Sequence, residues 1–215
     1  MEISNISIDI NPFGWSLKKQ RSKSKAFLEI KKKFIAYKNN TCDICKYKPQ
    51  DKFLHIINKN GNYRENKGSN FSLACSICTA CFFIGSYNPS TSPESVDRLI
   101  YCPEISQVQL NHLYRVLFVA MESNNSRYQD IAKSFYRCLR HRASTVDKMF
   151  GENSSDSKIF LQSVMDSNLI KNPNMKKVLS YLRYFPGRTS FREEWGSWMD
   201  DFLLNDYAKI IFSNV

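Results

Sequence analysis

A mostly helical α+β fold is predicted for this 215-residue chain. Three observations predict it. Two Cys-x-x-Cys pairs, Cys42/Cys45 and Cys75/Cys78, are separated by twenty-nine residues that hold a short apolar stretch and a turn. Apolar residues at three- and four-residue spacing recur from Pro103 onward, the period of helices with one buried face. Seven Gly and seven Pro, against 42% hydrophobic and 13% aromatic residues, leave little room for linker or disorder. The chain divides at 1–40, 41–98 and 99–215, three stretches of one compact unit.

Residues 1–40 combine an edge strand over 3–10 with a basic segment. Between 18 and 38, Lys18, Lys19, Arg21, Lys23, Lys25, Lys31, Lys32, Lys33 and Lys38 face the single acid Glu29. Phe27, Leu28, Ile30, Phe34, Ile35 and Tyr37 punctuate the run at the spacing of a basic amphipathic helix. In 41–98, residues 52–58 read as a short strand. Asn60-Gly61-Asn62 reads as a turn, because these residues tolerate positive φ. Residues 69–83 read as a helix bearing the second cysteine group, and 85–98, rich in Ser, Pro and Asn, as a loop.

Residues 99–215 are a helical region packed on the cysteine module. Ser106 caps a helix running to Met121 that is apolar on nearly all sides, hence buried and central. A second runs from Arg127 through Tyr128, Ile131, Phe135, Cys138 and Leu139. Ser155 and Asp156 open a third, with Ile159, Phe160, Val164 and Met165. Asn172-Pro173 is an N-cap and first-turn pair for a fourth, carrying Met175, Val178, Leu179 and Leu182, which Pro186-Gly187 ends. Ser190 with Glu193 makes a capping-box pattern for a last helix whose apolar face is Trp195, Trp198, Met199, Phe202, Leu203 and Ile210.

The formal net charge of +11 invites an anionic partner, or serves only solubility. The first sixteen residues lack the basic and apolar regions of a signal peptide, and no apolar run approaches the ~20 residues of a membrane span. A soluble, cytosolic protein is expected. There cysteines stay reduced, so clustered ones read as metal ligands rather than disulfides.

Two residues between cysteines let both sulfurs converge on one side of a tight turn. Two such knuckles complete a tetrahedron for one structural Zn²⁺, held by Cys42, Cys45, Cys75 and Cys78. Reduced thiolates in that geometry favour zinc over iron. Cys81 also forms a Cys-x-x-Cys with Cys78, so it is the alternative ligand in place of Cys75. Cys102 and Cys138 sit in apolar patterns and read as small buried hydrophobes.

The stretch between and around the knuckles resembles the HNH, or ββα-metal, module, in which zinc knuckles flank a short hairpin followed by a helix. The matching residues are Leu54-His55-Ile56, the turn at Gly61, Asn70-Phe71, and Cys75-Ser-Ile-Cys78-Thr79. The resemblance assigns His55 to the general-base position and Asn70 to its orienter. It puts Leu54 and Thr79 where the catalytic cation's ligands belong. A leucine cannot bind a cation and a threonine hydroxyl is a poor sole ligand. Without that ion nothing neutralises charge on a scissile phosphate. The expectation is a scaffold without catalysis, with His55 a hydrogen-bonded residue of the hairpin. His112 and His141 lie on helical patterns and receive no role.

A longer resemblance is to the IcmJ (DotN) family, small zinc proteins of Dot/Icm type IVB secretion systems. It is carried by Thr41-Cys-Asp-Ile-Cys45, by 69–83, and by Leu99-Ile-Tyr-Cys-Pro-Glu104, and covers most of 41–192. It implies a non-catalytic adaptor of the secretion coupling complex, at the cytoplasmic face of the inner membrane. The implied partner is the C-terminal extension of the coupling ATPase, on which other subunits and effector chaperones assemble. The basic segment departs most from the family. It suits an anionic membrane surface through its charge. The alternative function is a nucleic-acid-binding zinc protein with residual HNH nuclease character, although no pattern for reading base edges is present.

Overall fold

The computed structural model describes residues 8–87, 96–167 and 173–200. Asn11 opens the first helix, α1 (Pro12–Arg21): its side chain accepts from the Gly14 N–H at 2.7 Å, and Pro12 takes the first turn. Residues 8–11 are not a strand; they run along the cysteine module, with Asp9 N–H donating to the Cys81 carbonyl at 2.9 Å. Most of the expected strand, residues 3–7, lies outside the described residues. The basic segment is not one helix. The chain breaks at 22–24, where Ser22 Oγ turns back on the Lys18 carbonyl, and resumes as α2 (Lys25–Tyr37). Its cations do not form one free face either. Lys18 is buried against the rings of Trp15 and Phe83, Arg21 hydrogen-bonds Asn58, Asn66 and the Ile56 carbonyl, and Lys38 pairs with Asp43.

A single 3₁₀ turn (Asp51–Phe53) leads into β1 (Leu54–Asn58), and a second (Gly68–Asn70) into β2 (Phe71–Cys75). The two strands pair antiparallel with Leu54 opposite Cys75 and Asn58 opposite Phe71. Helix α3 (Ser76–Phe82) follows without a break. The expectation of one helix over 69–83 is therefore corrected: its first half is a strand. Phe71 and Leu73 join Leu54 and Ile56 under Phe27 and Ile35 of α2, and strand alternation rather than helical period places them there.

The larger body centres on α4 (Gln107–Met121), whose Ser106 and Gln109 form a reciprocal capping box. Helix α5 (Ser126–His141) packs on it, followed in the chain by α6 (Ala143–Phe150), α7 (Ser157–Asp166) and α8 (Pro173–Leu179). A second sheet is inserted among them: β3 (Arg98–Tyr101) pairs antiparallel with β4 (Leu182–Phe185). This corrects two expectations, the loop ending at 98 and the helix carrying Leu182. Helix α6 was not anticipated. Buried Asp97 fastens β4 and the segment after it, accepting from Tyr184 Oη (2.6 Å), Ser190 Oγ (2.6 Å) and Gly187 N–H (2.9 Å). Ser190 is thereby engaged, and no capping box opens the last helix. A 3₁₀ turn (Arg192–Glu194) precedes α9 (Trp195–Met199), which buries Trp198; Phe202, Leu203 and Ile210 lie outside the described residues.

One hydrophobic cluster runs from Ile8 through the cysteines, α4 and the second sheet to Trp198. Among the described residues no helix is long and apolar enough to cross a membrane.

Candidate metal centre

Thr41–Lys46 forms the first knuckle. Cys42 N–H donates to the Tyr47 carbonyl and Lys46 N–H returns to the Cys42 carbonyl, with Lys46 at φ 62° to close the loop. Asp43 clips this loop to β2. Its N–H donates to the Leu73 carbonyl (2.8 Å), and its Oδ2 accepts from Leu73 N–H (2.8 Å) and Ser72 Oγ (3.1 Å). Cys75 ends β2, and Cys78 stands in the first turn of α3.

The four Sγ atoms of Cys42, Cys45, Cys75 and Cys78 lie within 4.8 Å of one another, and all four residues are buried. The Cys45 and Cys75 sulfurs are 3.7 Å apart. Thiolate bonds of about 2.3 Å to a tetrahedral ion demand sulfur–sulfur edges of about 3.8 Å. The donor set and its spacing fit a thiolate-bound metal. Burial pushes the Cys75 and Cys78 thiols well up, while hydrogen bonds from the neighbouring sulfurs, aided by Arg115, hold Cys45 well down. All four sulfurs could be thiolates together, away from water, only with a cation among them.

Cys81 stands outside this group. It is buried, and its Sγ lies 3.3 Å from the Ile77 carbonyl. Cys102 is buried beside Arg142, whereas Cys138 is exposed on α5, contrary to the expectation of a buried side chain.

His55 lies on the opposite strand face from Leu54. Its Nε2 is 3.1 Å from Tyr87 Oη and 3.3 Å from Ser76 Oγ, and burial, with Lys18 and Lys31 nearby, holds its pKa well below the usual imidazole range. The hydrogen bonds of Asn70 go instead to Asn60 and the Glu65 carbonyl, bracing the 59–70 loop. The pair assigned as base and orienter thus serve separate local structures. Leu54 and Thr79 are fully buried, and Thr79 Oγ1 has no hydrogen-bond partner. His55, Ser76 and Tyr87 line a cleft of about 460 Å³ together with Thr189 and residues 191–194.

Sequence reasoning missed the groups that lean on the thiolates from α4. Asn111 Nδ2 is 3.4 Å from Cys78 Sγ, and Arg115 Nη2 is 3.1 Å from Cys75 Sγ and 3.8 Å from Cys45 Sγ. His112 Nε2 lies 2.9 Å from the Cys45 carbonyl. The available signal was a polar stripe, Gln107, Asn111 and Arg115 at four-residue spacing, on a helix whose other positions are mostly apolar.

Fold and centre together define the class: a mostly helical α+β protein built on a buried four-cysteine site able to hold a metal ion. No family model matches the sequence. Type 4 apparatus protein DotN of Legionella pneumophila is 32% identical over 193 residues, spanning 87% of this chain and 86% of that protein. The chain belongs to the DotN (IcmJ) family.

Proposed function

We propose that the chain is a non-catalytic adaptor subunit of a Dot/Icm type IVB coupling complex. It binds the C-terminal extension of the coupling ATPase at the cytoplasmic face of the inner membrane and so supports effector recruitment. Kinship with a type 4 apparatus protein over 87% of the chain carries this reading. The cysteine centre is read as one structural zinc, and β1, β2 and α3 as an HNH-type scaffold. Two features support the absence of catalysis. The position of one cation ligand is the buried apolar side chain of Leu54, and the Asn70 side chain is committed to Asn60 and the Glu65 carbonyl rather than to His55.

Co-expression with the ATPase tail, gel filtration and calorimetry test the partner. A one-to-one complex of micromolar or tighter affinity is expected, roughly 8 kcal/mol or more. Binding should raise the melting temperature, as any ligand of the native state does. Separate elution with no heat at two temperatures would leave the adaptor reading without support. Retention on duplex DNA with steep salt dependence would favour the nucleic-acid alternative.

A second expected outcome concerns chemistry. Plasmid and linear DNA remain intact with Mg²⁺, Mn²⁺ or Ni²⁺. Metal-dependent nicking that disappears in His55→Ala would overturn this; nicking that survives it marks a contaminant.

A further inference from the structure

The charge of the cysteine centre has to be met inside the protein. A divalent ion with four thiolates carries a net charge of −2, and Cys42, Cys75 and Cys78 are fully buried while Cys45 is 3% exposed. An uncompensated dianion in such a site is costly, because no solvent screens it.

One side chain meets that charge directly. Arg115 is 0% exposed, and its Nη2 reaches the sulfurs of both knuckles, Cys75 at 3.1 Å and Cys45 at 3.8 Å. Its guanidinium lies 4.2 Å over the ring of Tyr47, the residue whose carbonyl holds the Cys42 N–H. Its Nη1 returns to the Asn111 carbonyl at 3.5 Å. A planar, permanently charged fork can bridge two sulfurs and stack on a ring at once, which an ammonium cannot.

Arg115 does not act alone. Gln107, Asn111 and Arg115 follow at four-residue intervals and so form one stripe along α4. Gln107 Nε2 donates to Asn111 Oδ1 (2.8 Å) and to the Tyr184 carbonyl (2.9 Å), which turns the Asn111 amide nitrogen toward Cys78. Cys75 N–H lies 3.4 Å from Cys42 Sγ. Each of the four sulfurs therefore has an outer donor: the backbone for Cys42, Arg115 for Cys45 and Cys75, and Asn111 for Cys78.

We propose that Arg115, supported by Asn111, is the positioning residue that neutralises and locks the metal–thiolate centre, and that this stripe of α4 fastens the centre to the helical body. The inference rests on the metal reading above. Its consequences are chemical as well as mechanical. A guanidinium on two thiolates offsets the negative charge of the centre and favours the deprotonated sulfurs, which strengthens retention of the ion, and by lowering the energy of their lone pairs it blunts attack by electrophiles. Outer partners of metal ligands commonly contribute 10–100-fold to affinity.

The test uses the full chain. Zn²⁺ affinity is measured by competition with a chromophoric chelator, and the sulfur-to-metal charge-transfer band is recorded on protein loaded with Co²⁺. Arg115→Met is expected to bind Zn²⁺ about 10–100-fold more weakly and to move the band to lower energy, because removing the cation raises the sulfur lone pairs. Arg115→Lys should recover part of both effects. Met121→Ala, at the far end of α4, should lower stability and leave the band in place. If Arg115→Met does not fold, Asn111→Leu should shift the band in the same direction by a smaller amount. A folded Arg115→Met with wild-type affinity and an unmoved band would overturn the proposal, as would an unmoved band in Asn111→Leu. Wild-type protein that takes up neither Zn²⁺ nor Co²⁺ would overturn the metal reading itself, and this inference with it.

Discussion

Purified wild-type protein is expected to contain about one zinc per chain, and Cys42→Ser or Cys45→Ser to give an insoluble or molten one. The size of the effect follows from two magnitudes. Binding of a structural zinc is worth roughly 10–16 kcal/mol, and in such modules metal-binding energy is folding energy. The whole stability of a domain is only about 5–15 kcal/mol. A serine in place of Cys42 removes a thiolate that accepts from Cys75 N–H, and strands three buried sulfurs around a weakened site. The loss also reaches the large core, because Cys42, Cys45, Cys75 and Cys78 belong to the same cluster as Tyr114, Phe118 and Trp198. Cys81→Ser should be milder, since a hydroxyl can still reach the Ile77 carbonyl. Metal analysis with near-ultraviolet circular dichroism reads both outcomes. Two folded serine variants with full zinc content would refute the ligand assignment, and equal damage at Cys81 would move the second pair to Cys78 and Cys81.

The knuckles were readable because their chemistry is local. Two cysteine pairs, each with two residues between its members, point to a metal whatever the fold around them. The α4 helix was readable for a similar reason: a capping Ser106 and a run apolar on nearly all sides need no partner to be recognised. The strands were harder. Phe71–Cys75 carries apolar side chains and leads directly into a helix, so no local break separates the two; antiparallel pairing with Leu54–Asn58 decides it. Leu182–Phe185 is a strand because Arg98–Tyr101, more than eighty residues earlier, lies beside it and Gln107 holds its backbone at Tyr184. Such pairings are set by tertiary contact and leave little trace in a window of sequence. The outer donors of the metal centre were hidden likewise. Arg115 reads as an ordinary polar interruption until the fold brings it to two sulfurs seventy and forty residues away.

Glu194 poses a contest of the same kind, and pH decides it. The residue is 3% exposed, in the 3₁₀ turn that lines the cleft, and its Oε2 has no hydrogen-bond partner. Burial raises its pKa from 4.5 to about 7, against the opposing pull of Ser76 and the Arg115 guanidinium. Between those two values the folded chain holds a proton that the unfolded chain has released, so stability falls as pH rises through the window. Above pH 7 the carboxylate is charged in the fold, at a cost of about 3 kcal/mol relative to a neutral group. Glu194→Gln keeps the shape and removes the charge. The variant, equal to wild type in acid, should therefore already lead it by about 2 kcal/mol at pH 6 and by about 3 kcal/mol at pH 8.5. Urea unfolding of zinc-loaded protein at the two pH values measures the difference, within a range where the thiolates keep their metal; in acid, protonation of the cysteines would release it. The opposite result would be equally specific. A wild type that gains on the variant as pH rises would mean that attraction to Arg115 outweighs burial, making Glu194 an ionised partner of the arginine that faces the thiolates.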